Sequence, residues 1–180
     1  MPMSPLLLLA AAAIPAPGTP GYIPSSPELG VAEGRCRANE PGPAFMVTLQ
    51  GLKDRQGRIK AELYPANDKD FLADDNVLVM SGKTFRRVEM ETPQTGPVTL
   101  CIRAPAPGPY ALIVLHDRDS NRKLGISVDG AGFPGDPRMC WGPPKGSAAT
   151  AVAREGVTNI TITMQYRSSL VCFAPLKKKG

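Results

Sequence analysis

Apolar and polar residues alternate in several short segments of the chain. In residues 57–64, Ile59, Ala61 and Leu63 alternate with charged side chains. A period of two predicts a strand with one buried face. Residues 158–166 alternate in the same way, and the other predicted strands are residues 44–50, 76–80, 84–90, 97–103 and 109–116.

These seven short segments predict an all-β domain over residues 44–166, a two-sheet antiparallel sandwich that is immunoglobulin- or transthyretin-like. The chain holds 18 Gly and 20 Pro, and both residue types favour turns over long helices. Residues 109–116 are almost continuously apolar, which predicts a central strand covered on both faces. Residues 117–156 are dense in Gly and Pro, and we predict one long loop there.

The two ends of the chain differ in composition from its middle. Residues 1–16 contain a short apolar run followed by small residues, which predicts a cleavable signal peptide and hence a periplasmic or secreted protein. Residues 17–43 predict a Pro/Gly-rich linker, and residues 167–180 a basic tail. We expect no membrane-spanning segment, because the leader is too short and no other apolar stretch approaches the required length.

The four cysteines fit an exported protein. They are even in number and lack the close pairing of a zinc site, so we predict two disulfides. Three pairings are open. Of these we favour Cys101–Cys140, which would tie a strand to the long loop, and Cys36–Cys172, which would tie the two tails.

The formal net charge is +5, and the basic residues are scattered apart from the last few. This distribution is typical of a solvated basic surface, with attraction to an anionic partner as the alternative. We expect no nucleic-acid partner, because no nucleic-acid-binding motif is present.

Residues 107–117 read Pro-Gly-Pro-Tyr-Ala-Leu-Ile-Val-Leu-His-Asp, and Asn121, Gly132-Phe133 and Tyr166 follow them. This pattern resembles an uncharacterised family of exported bacterial domains that is known only as a domain of unknown function. The resemblance covers residues 44–166. It implies a β-sandwich in the cell envelope and no established activity. Arg122 and Lys123 stand where that family usually continues with Asn and Gly.

His116 and Asp117 are the first candidates for catalysis. Adjacent strand residues point to opposite faces, however, and the chain has no Gly-x-Ser-x-Gly elbow to supply a nucleophile. We therefore predict a structural role for His116 and no catalytic residue. A hydrolase that uses His116 is the alternative.

Asp117, Asp119 and Asn121 have the spacing of the first three ligands in a calcium loop, and Asp129 lies where it could add a fourth. Arg122 stands where such a loop needs a sharp-turning glycine. We predict a turn held by side-chain-to-backbone hydrogen bonds and no cofactor, with Ca²⁺ as the alternative.

Trp141 is the most prominent residue of the predicted long loop. For Trp141 itself we favour a cap over the open end of the sandwich; the alternative is a binding surface, with Trp141, Phe133, Tyr110 and His116 as the candidate binding set. We predict a non-catalytic module that binds a protein, a peptide or a glycan through residues 117–156. The alternative is a structural envelope domain stabilised by disulfides, with or without Ca²⁺.

Overall fold

A computed structural model describes residues 13–177, and most of the predicted signal peptide over residues 1–16 therefore lies outside the described residues. Two short α-helices and a 3₁₀ turn at Gly146–Ala149 accompany eleven strands. The helices are α1 (Val31–Gly34) and α2 (Asp75–Met80), and the strands are β1 (Ala44–Gln50), β2 (Arg58–Pro65), β3 (Arg86–Glu91), β4 (Val98–Arg103), β5 (Gly108–Asp117), β6 (Gly130–Gly132), β7 (Met139–Cys140), β8 (Thr150–Ala153), β9 (Val157–Thr163), β10 (Gln165–Arg167) and β11 (Cys172–Pro175).

The strands form two packed sheets, which confirms the predicted all-β sandwich. The small sheet has the order β4-β1-β9. The large sheet has the order β3-β2-β5-β6-β10-β11-β7, and β8 also pairs with β5. All of these pairs are antiparallel except β1 with β9, which is parallel.

The space between the sheets is filled by the apolar residues of the alternating segments. Ile59 and Leu63 of β2 face Phe45 and Val47 of β1 across this core, and all four are fully buried. The central strand β5 is buried on both faces, as its apolar run predicts. Leu112 lies in the core between the sheets, and the residues on either side of it point to the outer face.

The outer face of the large sheet carries a second apolar cluster. Leu78 of α2 and Phe71 pack there with Phe133, and all three are buried. Residues 76–80 were predicted as a strand and are helical instead. A short apolar run has no periodicity that separates the two states, and Leu78 is the one residue of α2 that inserts deeply into this cluster.

The segment predicted as one long loop, residues 117–156, contains β6, β7, the 3₁₀ turn and β8. Strand β6 reads Gly-Ala-Gly because two large side chains lie directly against its backbone. A Cβ atom at Gly130 would lie 2.4 Å from Cε1 of Tyr166, and one at Gly132 would lie 2.6 Å from Cγ2 of Ile162. The strand therefore pairs through its backbone in a sequence that lacks β-forming side chains.

The ends of the folded domain lie further out than residues 44–166. In the predicted linker, α1 packs on β3, and the N–H of Arg87 donates to the carbonyl of Gly30 at 3.0 Å. In the predicted tail, β11 pairs with β10 on one side and with β7 on the other. Its residues complete the large sheet, so the tail boundary at residue 167 was wrong.

All four cysteines form disulfides, as predicted, but the favoured pairing was wrong. The bridges are Cys36–Cys101 and Cys140–Cys172. The residue before Cys36 forms an antiparallel bridge with Ile102, which brings Cys36 beside β4. Cys140 and Cys172 are directly opposite each other on β7 and β11. A Cys101–Cys140 bond would have to join two different sheets.

None of the helices within residues 13–177 has the length and apolar character that crossing a membrane requires.

Candidate functional site

An open apolar cavity of about 430 Å³ lies on the outer face of the large sheet, beside β7 and β11. Phe133, Met139 and Ala131 form its buried floor, and Trp141 and Leu170 stand on its rim. We call this cavity the Trp141 trough. Its volume lies within the range of small-ligand and side-chain pockets.

The rim of the Trp141 trough exposes large apolar side chains to solvent. Trp141 and Leu170 are each 85% exposed, and Ile126 is 57% exposed. Single exposed apolar residues are ordinary on protein surfaces, whereas a group of them around one cavity marks an interaction site. The exposure of Trp141 also shows that the favoured interpretation, a cap over the open end of the sandwich, was wrong, because a capping side chain would be buried.

The backbone holds Trp141 in a conformation that few large residues adopt. Its φ angle is 64°, in the left-handed region, which costs a non-glycine residue roughly 1–2 kcal/mol. Its N–H donates to the carbonyl of Val171 at 2.7 Å, and the neighbouring Cys140 is joined to Cys172. A disulfide and a backbone hydrogen bond thus present this side chain to solvent.

Among the described residues that line the Trp141 trough, Arg167 is the one that carries a charge. Its Nε donates to the carbonyl of Ser169 at 3.1 Å, and its Nη1 donates to Oγ of Ser127 at 2.9 Å. These bonds hold the exposed guanidinium at the edge of the apolar surface. A ligand with an apolar body and a negatively charged group therefore matches the trough.

His116 lies in the interior and is fully buried. Its Nε2 lies 2.8 Å from the carbonyl oxygen of Gln56. Because a carbonyl can only accept, Nε2 carries the proton and donates, and the unprotonated Nδ1 accepts from the hydroxyl of Tyr166 at 2.6 Å. The same hydroxyl accepts from the N–H of Lys53 at 3.0 Å. Burial lowers the pKa of His116 and raises that of Tyr166 to about 12.

An ion pair holds the β1–β2 loop over this histidine. The guanidinium of Arg118 pairs with the carboxylate of Asp54, and their hydrogen bonds lower the pKa of Asp54. The nearer Asp54 oxygen is 3.9 Å from Nε2 of His116. His116 and its hydrogen-bond partners thus link the β1–β2 loop to the large sheet.

Three of the four predicted calcium ligands come together where the two ends of the β5–β6 connection meet. One carboxylate oxygen from each of Asp117, Asp119 and Asp129 lies within 4.8 Å of the others. These are the atoms that would hold a cation. The fourth residue, Asn121, turns its amide N–H₂ toward Asp119 at 2.8 Å.

Backbone donors already surround the two buried carboxylates of this cluster. Asp117 accepts from the N–H groups of Asn121 and Arg122 at 3.1 and 2.7 Å. Asp129 accepts from those of Arg118 and Gly125 at 2.8 and 2.7 Å. Burial raises the pKa of Asp117. The arrangement matches the predicted turn chemistry.

The structure separates the residues predicted to form the binding set. Trp141 and Phe133 line the Trp141 trough, one on its rim and one in its floor. His116 faces the core, and Tyr110 lies near the other end of β5, where its hydroxyl donates to the carbonyl of Ala106 at 3.0 Å. Leu170 was missed because the sequence around it was assigned to a basic tail, although Leu170-Val171 is an apolar pair there.

Comparison with protein families gives one result. The family model described as "Uncharacterized protein conserved in bacteria (DUF2141)" matches residues 47–161, which is more than half of the chain. No curated protein and no solved structure matches the chain.

Proposed function

This chain belongs to the DUF2141 family of uncharacterised bacterial proteins, and we propose that it is a non-catalytic binding module of the cell envelope. The Trp141 trough takes an apolar segment of a protein or peptide that carries a carboxylate. The observation that carries this proposal is Trp141 itself, an 85% exposed side chain on a left-handed backbone at the rim of an open apolar cavity. Backbone strain kept at an exposed aromatic residue is typical of functional positions.

The composition of the Trp141 trough favours a peptide over a glycan. A sugar site needs several polar side chains to bind hydroxyl groups, in addition to an aromatic face. The trough offers Arg167 as its charged group, and leucine, isoleucine, methionine and aromatic side chains make up most of its remaining lining. Apolar side chains of a partner would fill it, and a carboxylate of that partner would pair with Arg167.

The surroundings of His116 support a non-catalytic function. A general base must reach the proton that it removes, and both ring nitrogens of this buried residue already have hydrogen-bond partners. The two disulfides support a location in an oxidising compartment, the periplasm or the exterior.

A structural envelope domain is the second candidate, and the disulfides favour it. Cys36–Cys101 fastens the N-terminal segment to the small sheet, while Cys140–Cys172 fastens β7 to β11 in the large sheet. An open apolar cavity does not add to the stability of a domain whose role is purely structural. Ligand binding therefore separates the two candidates.

The test uses the dye 1-anilinonaphthalene-8-sulfonate, an apolar anion whose emission rises in apolar surroundings. We expect the native, disulfide-bonded protein to bind the dye and Trp141→Ser to lose most of that emission. Val152→Ser is the matched control, because Val152 is a 59% exposed apolar residue that does not line the Trp141 trough. A short leucine-rich peptide with a free carboxyl terminus should displace the dye better than its amide.

Arg167→Gln tests the charged part of the proposal. We expect this variant to bind the peptide acid and the peptide amide with equal affinity. Binding of the apolar part of the peptide should be retained. Dye emission that is equal in the wild type, Trp141→Ser and Val152→Ser would reject the Trp141 trough as a binding site and favour the structural candidate.

A further inference from the structure

Among the described residues, four of the five outer strands in the two sheets have edges that are covered, charged or short, and the short ones include the four-residue β8, which pairs with β5 alone. The small sheet ends at β4, which Arg35 bridges at Ile102, and the Cys36–Cys101 bond lies beside that bridge. The large sheet ends at β3, which is covered in part by α1 and rich in charged residues, and at the two-residue β7. Natural sheets protect their edges against pairing in these ways.

The outer strand β9 lacks this protection. It spans Val157–Thr163 and reads Val-Thr-Asn-Ile-Thr-Ile-Thr, with no charged residue and no proline. It pairs with β1 on one side, and on its other side no strand of the described chain pairs with it. An edge seven residues long is a template on which another strand can pair.

Hydrogen bonds at the end of β9 show which backbone groups face outward. The N–H of Met164 donates to the carbonyl of Gln50, next to β1, at 2.8 Å. The N–H of Thr163 points the other way and donates to the carboxylate of Asp136 at 2.9 Å. Since successive residues of a strand direct their backbone groups to opposite sides, Val157, Asn159 and Thr161 present theirs at the open edge.

We propose that β9 is a homodimer interface, in which a second copy of this chain adds its own β9 in antiparallel orientation. In the register that uses all three outward-facing residues, Asn159 lies opposite the partner's Asn159, and Val157 lies opposite the partner's Thr161. Each of these residue pairs exchanges two backbone hydrogen bonds. The two small sheets become one continuous six-stranded sheet about a two-fold axis.

Two features of β9 favour a second copy over an unrelated strand. Ile160 is half-buried and points toward the core, and this register places it beside the partner's Thr158, where the second copy covers it. Antiparallel pairing also brings the start of one β9 to the end of the other. Arg154 is exposed and lies in the turn before β9, next to Glu155. In the dimer it approaches the partner's Asp136, whose carboxylate accepts hydrogen bonds from Thr163 of its own chain.

The test measures the mass of the purified, disulfide-bonded protein by sedimentation across a concentration series. We expect the wild type to form a reversible dimer. Asn159→Lys and Asn159→Glu place like charges opposite each other on the two-fold axis, so each variant alone should have a dimer dissociation constant about two- to fivefold higher than that of the wild type. An equimolar mixture of the two should recover the dimer, because the opposed charges then attract.

The control is Thr99→Lys, which adds the same charge to the other outer strand of the small sheet. Thr99 and Thr161 flank Thr48 of β1 in one cross-strand row, and both are exposed. Thr99→Lys should dimerise as the wild type does. Thr161→Pro should not, since it removes an N–H that faces the open edge and no internal hydrogen bond.

Circular dichroism of each variant shows that it is folded before its mass is compared. A wild type that stays monomeric at several hundred micromolar would overturn the proposal. So would a dimer that tolerates Asn159→Lys and Thr161→Pro, or a Lys–Glu mixture that stays monomeric.

Discussion

The Nδ1 atom of His116 lies 2.6 Å from the hydroxyl oxygen of Tyr166, and this hydrogen bond joins β5 to β10 inside the sandwich. Both residues are buried, and each also binds the β1–β2 loop, His116 through the carbonyl of Gln56 and Tyr166 through the N–H of Lys53. The pair thus closes one end of the core. It does so in one protonation state, because a protonated Nδ1 can no longer accept from the tyrosine.

We predict that His116 makes the fold less stable in acid. Burial lowers its pKa in the folded protein below the value near 6.5 of an exposed histidine, so the unfolded chain takes up the proton first. The contribution of neutral His116 to the free energy of unfolding is complete above about pH 6.5. It decreases as the pH falls from there through the folded pKa, by at most about 1.4 kcal/mol per pH unit. Urea unfolding between pH 7.5 and pH 5 measures it.

His116→Gln is the control for that titration. The chain has one histidine, so the variant removes the whole histidine contribution while the carboxylates still titrate. We expect the wild type and the variant to differ most in free energy of unfolding at neutral pH and to converge toward pH 5. Parallel curves would show that His116 is not held neutral in the fold.

We predict that each disulfide contributes about 4 kcal/mol to the free energy of unfolding in the chain-entropy estimate. Cys36–Cys101 spans 65 residues and Cys140–Cys172 spans 32, so removal of the first by paired Cys→Ala changes should cost about 0.6 kcal/mol more. Removal of the second should also weaken dye binding, because that bond supports Trp141. Chemical unfolding and dye titration of both double variants measure these effects.

The pairing itself can be checked by peptide mapping without reduction. We expect one linked peptide pair that contains Cys36 and Cys101 and another that contains Cys140 and Cys172. A peptide that links Cys101 to Cys140 would contradict the structure.

The sequence predicts those parts of the fold in which the side chains themselves carry the pattern. The alternation of Ile59, Ala61 and Leu63 and the apolar run of β5 identify two neighbouring strands of the large sheet. Strand β6 has no such pattern. Its glycines leave room for the side chains of Tyr166 and Ile162, which are distant in sequence. Long-range fit of this kind is not visible locally.

Only part of the candidate site could be predicted, because it too depends on contacts between residues that are distant in sequence. Trp141 stands out as the single tryptophan, beside a glycine and two prolines. The trough around it also needs Leu170 and Phe173, which reach it because β11 pairs with β7. That pairing joins segments about thirty residues apart through Cys140–Cys172, and the cysteine spacing left three pairings open.

We predict that Asp129 stabilises the β5–β6 connection without a metal ion. Asp129→Asn replaces one acceptor oxygen by an N–H₂ group that must face the N–H of Gly125 or of Arg118, so we expect a loss of about 1–3 kcal/mol. Asp119→Asn, at an exposed member of the same cluster, should lose about 0.5 kcal/mol or less. Thermal unfolding of both variants compares them.

The same melts with excess Ca²⁺ and then with a chelator test the alternative of a calcium loop. We expect no shift of the wild-type midpoint. A rise of at least about 5 °C with Ca²⁺, as expected for a ligand at about 100 times its dissociation constant, would instead identify Asp117, Asp119 and Asp129 as a cation site.

We predict that Trp141 contributes almost nothing to the stability of the fold. Its side chain is exposed, so truncation removes little buried area, and its left-handed backbone already disfavours any residue other than glycine. Trp141→Ala should therefore keep the free energy of unfolding within about 0.5 kcal/mol of the wild type. Trp141→Gly should equal or exceed the stability of Trp141→Ala, because glycine adopts a φ of 64° without strain.

Phe133→Ala is the contrast, because Phe133 forms the buried floor of the same trough. Its truncation should cost about 3–5 kcal/mol, as for other buried aromatic residues. A large loss of stability in Trp141→Ala would place Trp141 among the packing residues, and the exposed rim would then give no reason to infer a ligand. Unchanged stability together with lost dye binding would separate its contribution to binding from any contribution to folding.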